Sequence, residues 1–222
     1  MSSRALVIFC RTPEAEARAK RLPVARTVPV FEAVIAGWVR AARNAGAEPV
    51  IACAPEHRAR LSEIAPTASW IEQPTASFGG RLSAVTTEAF RRGFDAVAIT
   101  GMDTPPMDLA PVFDCGTNVV VPAKDGGVNL IGLVVDAAGL LASLRPRQHD
   151  AASHCARVLE AIVFDAATDL DDEGDFRRAL HDPAWSAIYH LLARASIATR
   201  VEVTLFAPVI ESLVPRAPPA LH

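Results

Sequence analysis

From Ala96 to Thr100 the chain runs Ala-Val-Ala-Ile-Thr without a charge, then stops at Gly101-Met102-Asp103-Thr104-Pro105-Pro106. The uncharged run predicts a strand buried on both faces, of the kind that lines the interior of a parallel sheet. The paired prolines forbid both further strand and an immediate helix interior, because each lacks an N–H and fixes its φ. Asp103 is therefore expected on a loop at the carboxyl end of a core strand, where open α/β sheets place their ligands. On local chemistry alone, a carboxylate there is also an ordinary turn residue. What the rest of the chain brings to the same edge decides between the two.

The pattern repeats on either side. Residues 5–9 (ALVIF) predict a first strand, and 49–54, 70–73, 118–121, 130–135 and 161–164 predict others. Helical spacing predicts helices over 30–45, ended by Gly46, then over 82–92, 139–144 and 151–159, and up to about residue 180. A short helix opens at Pro55, and an amphipathic one covers 183–195. This alternation implies a three-layer α/β/α sandwich with a mostly parallel sheet. The chain has 222 residues, 50% of them hydrophobic, enough for one large core without a linker. Residues 1–182 are expected to form a nucleotide-binding α/β domain, with 183–222 as a helix and tail packed on it. The tail, 199–222, suits an edge strand, a packing arm or a homodimer contact.

Charge gathers in the strand-to-helix turns. After the first strand come Arg11, Arg18, Lys20, Arg21 and Arg26, a basic loop suited to gripping phosphate or to plain solvation. Gly79-Gly80-Arg81 precedes the helix over 82–92, where glycines allow an anion close to the helix start, although an ordinary turn reads the same way. In Asp169-Leu170-Asp171 the alternation throws two carboxylates to one side of an extended segment, where they can share a hard divalent cation. The same acids also suit the N-terminus of the next helix. Cations and carboxylates along one sheet edge fit a nucleotide bridged by Mg²⁺ or Mn²⁺.

Other classes are disfavoured. A formal net charge of -3, with no aromatics interleaved among the basic residues, argues against nucleic acid as a partner. No stretch approaches a membrane span, and the first apolar run is too short for a signal peptide. Cys10, Cys53, Cys115 and Cys155 form no C-x-x-C pair and read as buried free thiols of a cytoplasmic protein. His154-Cys155 offers two metal-ligating side chains, but the spacing fits no helical face.

Taken in order, six segments carry a family resemblance: Phe9-Cys10-Arg11-Thr12-Pro13, Lys20-Arg21-Leu22, Gly80-Arg81-Leu82, Thr100-Gly101-Met102-Asp103-Thr104-Pro105, residues 125–133 (DGGVNLIGL) and residues 169–176 (DLDDEGDF). They resemble the series F-A-R-x-P, K-T-R-L, G-E-R-M, G-S-D-x-P, D-G-G-Y-Y-L-I-G-L and D-V-D-T-P-E-D-L. That series marks the bacterial glycosyltransferase-like family associated with radical-SAM and selenium-domain proteins, within the GT-A-fold nucleotide-diphospho-sugar transferases. More distantly, the chain resembles the molybdenum-cofactor and 2-phospholactate guanylyltransferases.

The resemblance implies a GT-A fold over roughly residues 5–180 and a metal on Asp103, Asp169 and Asp171. The reading that follows gives Arg11, Lys20, Arg21, Gly80, Arg81, Asp125, Gly126 and Gly127 to the nucleotide and its phosphates, with Asp103, Lys20 and Arg21 catalytic. The partners would be a nucleotide or nucleotide-sugar and an acceptor the sequence does not identify. Sugar transfer and nucleotidyl transfer both remain open, as does a member that kept the fold for binding alone.

The last alternative comes from departures. Ala15-Glu16 stands where the family has Pro-Gly, Glu14 is added, and Lys20 is offset by one residue. A carboxylate about 6 Å from a phosphate charge would cost roughly 3 kcal/mol at an effective dielectric near 20, unless it points away or meets a metal. Val128 and Asn129 replace the two tyrosines. The family's Trp-Ser segment is absent, with Gln148-His149-Asp150 in its place.

Overall fold

The computed structural model describes residues 3–145 and 150–193. Its uncharged runs become the centre of a seven-stranded sheet. The elements are β1 (Arg4–Phe9), α1 (Pro13–Ala19), α2 (Val24–Asn44), β2 (Glu48–Cys53), α3 (Arg58–Ile64) and β3 (Ser69–Glu72). There follow α4 (Phe78–Arg91), β4 (Ala96–Thr100), α5 (Ala110–Asp114), β5 (Val119–Pro122) and β6 (Val128–Leu133). The described chain ends with α6 (Ala138–Leu141), α7 (Ala151–Val158), β7 (Ile162–Val163), α8 (Glu173–Ala179) and a 3₁₀ turn at Pro183–Ile188.

The strand order is β3-β2-β1-β4-β6-β5-β7. Pairing is parallel except where β6 meets β4 and β5, so β6 alone runs against the rest. Alternate residues of the central strands feed two cores, as period-two side chains must. Leu6, Ile8 and Ala98 face α2, whose Val30, Phe31, Val34, Ile35 and Trp38 are fully buried. Ala5, Val7, Val97 and Ile99 face Leu82, Val85 and Ala89 of α4, together with Leu141 and Cys155. These two cores make the three layers.

Four local expectations change. The basic stretch after β1 is partly helical: Thr12 caps α1, accepting a hydrogen bond from Ala15 N at 3.3 Å, and Pro13 opens it. The helix closes with Leu22 N donating to Ala17 O at 2.8 Å while Arg21 takes a left-handed φ of 57°. Second, α2 starts at Val24, ahead of the expected residue 30, with Pro29 inside it. An interior proline costs about 3 kcal/mol, but burying each large apolar residue of that stripe returns about 1.5–3.

Third, the two glycines lie inside the first turn of α4 instead of before it. A Cβ on Gly79 would sit 2.3 Å from Ala142 O, so this glycine lets α4 close onto the segment after α6. Fourth, residues 183–188 form a 3₁₀ turn with Trp185 and Ile188 buried, and α-helix follows to 193. The remainder of the expected 183–195 helix, the tail at 199–222, and residues 148 and 149 lie outside the described residues. No helix among the described residues is long and apolar enough to cross a membrane. The four thiols are free, and Cys10, Cys53 and Cys155 are buried; Cys115, after α5, is exposed instead.

Candidate metal and phosphate site

The loops after β1, β4 and β5 and the segment before α8 meet at one end of the sheet. Helix α1 sets Glu16 and Lys20 one turn apart on one face. Lys20 Nζ reaches across to Asp103 Oδ2 at 2.5 Å, to Asp171 Oδ1 and to Leu170 O at 3.0 Å, with Glu16 Oε1 at 3.7 Å. The three hydrogen-bond contacts use all three donors of the ammonium. Burial opposes the charge on Lys20, but Asp103, then Asp171 and Glu16, outweigh it and hold its pKa above the ordinary lysine value. Burial, then Asp103, pushes the Glu16 carboxyl up.

Asp103 is held by its own loop. A Cβ at Gly101 would lie 2.3 Å from Asp103 Oδ1, so only glycine leaves room for the carboxylate to fold back. Trp38 of α2 donates its Nε1–H to Thr104 O at 3.0 Å. The main chain of Asp103 also meets the late acidic segment, where Leu170 N donates to Asp103 O at 3.0 Å.

That segment runs as the alternation requires: Leu170 is fully buried, and Asp169 and Asp171 share the other side. They are joined there by Asp125, from the β5–β6 turn. Carboxylate oxygens of Asp125, Asp169 and Asp171 all lie within 4.8 Å of one another. Burial first, then Asp103, Asp171 and Asp125, pushes Asp169 up to about 7. Hard oxygen donors at this separation suit Mg²⁺ or Mn²⁺, and mutually repelling carboxylates are the charge pattern a divalent cation relieves. The donor set fits such an ion. Asp103 Oδ2 meets Lys20, which also meets Asp171, and the Asp103 charge still bears on Asp169 beside the trio.

The acids divide their duties. Asp172 and Asp175 form the capping box of α8, with Asp175 Oδ2 accepting from the backbone N–H of Asp171 and Asp172 at 2.9 and 2.8 Å. Helix capping thus falls to Asp172 and Asp175, leaving Asp169 and Asp171 to face the cluster.

The remaining expected site residues make contacts of their own or turn outward. Arg21 is exposed at the end of α1, while Lys20 turns inward. Arg11 pairs with Glu16 at 2.9 Å. Arg81 stacks 5.6 Å from the Phe9 ring centroid and donates to Gln73 Oε1 at 2.9 Å; burial, then Arg11, lowers its pKa. The N–H of Gly80 donates to the Ser77 hydroxyl at 3.2 Å. Gly127 N donates to Asp125 Oδ1 at 2.8 Å, and Gly126 O accepts from Ala152 N at 3.2 Å, so that turn ties itself to α7. Glu14 points away, into an ion pair with Arg60 at 3.1 Å. Cys155 is buried in the core, and His154 lies beside Arg157, with Nδ1 at 3.5 Å from its guanidinium.

Strand order and layering place this chain among the nucleotide-diphospho-sugar transferase-like folds. A family model described as "uncharacterized protein conserved in bacteria (DUF2064)" matches residues 38–145. A nucleotide-diphospho-sugar transferase assignment accompanies the crystal structure of a similar protein from Desulfovibrio desulfuricans G20. It is 17% identical, the match covers 90% of this chain and 98% of that one, and the TM-score is 0.67. A cytidylyltransferase from Leptospira borgpetersenii is 11% identical over 92% of this chain and 97% of its own, with a TM-score of 0.52. Rv0371c of Mycobacterium tuberculosis H37Rv, determined in complex with manganese, is 17% identical over 80% of this chain and 97% of its own, with a TM-score of 0.50. None of the curated proteins matches the sequence. At these identities the likeness establishes the fold alone.

Proposed function

We propose that the protein is a metal-dependent transferase acting on a nucleotide or nucleotide-sugar. One observation carries this reading: Asp103, Asp125, Asp169 and Asp171, from three separate loops, gather with Lys20 at the carboxyl end of the sheet. Asp125, Asp169 and Asp171 would hold Mg²⁺ or Mn²⁺. Bound there, the ion would supply charge neutralisation for a diphosphate. Lys20, between Asp103 and Asp171, would release one of its three acceptors to a phosphate oxygen and keep the others, which fixes the ammonium where charge develops. Asp103 would orient Lys20. Arg11 and Arg81, on the β1 side, would meet the remaining phosphate charge, as phosphoryl chemistry depends mainly on positioning and electrostatics.

A second reading, a fold retained for binding alone, has one observation behind it. Glu16 pairs with Arg11 and lies 3.7 Å from Lys20, so two of the cations proposed for phosphate already face a carboxylate. The experiment that separates the readings uses nucleoside triphosphates with sugar 1-phosphates in one arm and nucleotide-sugars with candidate acceptors in the other, both with Mn²⁺. Pyrophosphate release marks nucleotidyl transfer, and nucleoside diphosphate release marks sugar transfer. A rise in melting temperature without turnover in either arm supports the binding module. No stabilisation by any nucleotide, with or without Mn²⁺, refutes the transferase reading.

A further inference from the structure

We propose that Asn129 and Asp182, neither of them a member of the acidic cluster, are the positioning residues of this site. The proposal rests on the metal reading above. Asn129 lies on β6 and is only 2% exposed. Its Oδ1 accepts from Thr104 Oγ1 at 3.2 Å, and its Nδ2 donates to Pro122 O at 3.2 Å and Ala167 O at 2.9 Å. The amide orientation follows from its partners, since the nitrogen side meets only carbonyl oxygens. Thr104 is next to Asp103, Pro122 ends the strand that leads to Asp125, and Ala167 stands just before Thr168 and Asp169. One buried amide thus touches the segments beside all three acidic positions, through the Thr104 hydroxyl and the Pro122 and Ala167 carbonyls.

Asp182 closes the arrangement from the other side. Its Oδ2 accepts from Lys124 Nζ at 2.8 Å and Thr168 N at 2.9 Å, and its Oδ1 accepts from Ala184 N at 3.0 Å. Lys124 immediately precedes Asp125, and Thr168 immediately precedes Asp169. Trp185, buried below, donates Nε1–H to Thr168 O at 2.6 Å. Repulsion within the acidic cluster pushes these segments apart, so something must hold them while no cation is bound. A satisfied buried polar network is rigid enough to do so, and groups that orient metal ligands act in this way.

The test measures two quantities on the full chain: Mn²⁺ affinity from the free-ion EPR signal, and amide hydrogen exchange at Leu170 and Gly127 without metal. The variants are Asn129→Asp, which turns two donors into acceptors facing carbonyls, and Asp182→Asn, which sets an amide against Lys124. Leu61→Ala, in α3 and remote from the site, controls for general destabilisation. Each site variant should weaken Mn²⁺ binding about 10- to 100-fold and speed exchange at both amides. Leu61→Ala should leave the affinity within about twofold. Either site variant binding Mn²⁺ as the parent does, or Leu61→Ala weakening it equally, overturns the proposal. If the parent chain itself binds no Mn²⁺, the metal reading falls and exchange alone decides: acceleration at both amides beyond that of Leu61→Ala upholds the two residues as ties between these loops, and no such excess ends the proposal. Should Asp182→Asn fail to fold, Lys124→Met removes one arm of the same contact and takes its place.

Discussion

Asp169 and Asp182 stand on either side of α8, and their surroundings push them in opposite directions. Asp182 is buried, which alone would raise its pKa, yet Lys124, Thr168 N–H and Ala184 N–H hold it down to about 2. Asp169 is only half-buried, but that burial and its neighbours Asp103, Asp171 and Asp125 push it up to about 7. The first carboxylate has been given its donors by the fold. The second has been set among like charges. A protein that keeps such an arrangement pays for it in stability, and a cation from outside is the natural compensation. Lys20 shows the same logic on the other flank of Asp171, where the compensating cation is built in.

The sharpest way to break this comparison is at Asp171, which touches both flanks. Asp171→Asn removes a charge from the trio and an acceptor from Lys20. Its Mn²⁺ affinity, measured by isothermal titration calorimetry, should fall by more than about 100-fold, beyond the range typical of outer supporting groups. Parent-like binding would mean that the acidic cluster is not where the metal goes. Next in size is stability without metal. Asp182→Ala strips Lys124 and two backbone N–H groups of their acceptor and should cost about 2–3 kcal/mol in urea denaturation. Asp169→Asn relieves repulsion and should be neutral or stabilising by about 1 kcal/mol at neutral pH, once solvent screening at a half-buried position is allowed for. Equal losses in the two variants would erase the distinction between a satisfied and an unsatisfied carboxylate.

The side of the molecule that holds Asp103 was legible in the sequence because its determinants are local. An uncharged run ending in Gly-Met-Asp-Thr-Pro-Pro specifies strand, loop and an acid on that loop in order, and β4 with its loop follows that reading. The Asp-Leu-Asp alternation put both acids on one side of the chain for the same reason. What stayed hidden depended on contacts distant in sequence. Asp125 joins Asp169 and Asp171 only because β5 and β7 pair in parallel. Gly79 reads as an anion turn until the carbonyl of Ala142 is seen against it. Nothing local marks Asn129 or Asp182 as ties between loops. Helix α1 is a different case: Thr12-Pro13-Glu14 is a recognisable helix start, although the basic residues that follow suit a solvated loop equally well.

The finest test of the comparison is pH, where the two carboxylates should give slopes of opposite sign. For Asp169 the folded pKa of about 7 lies above the ordinary 3.8, so between those values the folded chain keeps a proton that the unfolded chain has released. Its contribution to stability therefore falls as pH rises from about 4 to 7. For Asp182 the folded value of about 2 lies below 3.8, so its contribution is present above the ordinary value and is lost as pH falls toward 2. Metal-free parent should gain about 1 kcal/mol more than Asp169→Asn on going from pH 7.5 to 5, measured by urea denaturation at each pH. Saturating Mn²⁺ should reverse that slope, because the ion binds the ionised carboxylates and is displaced by protons. A parent and Asp169→Asn that track each other across this range would show that Asp169 stays ionised throughout, with no raised pKa, and that its like-charged neighbours cost the fold nothing.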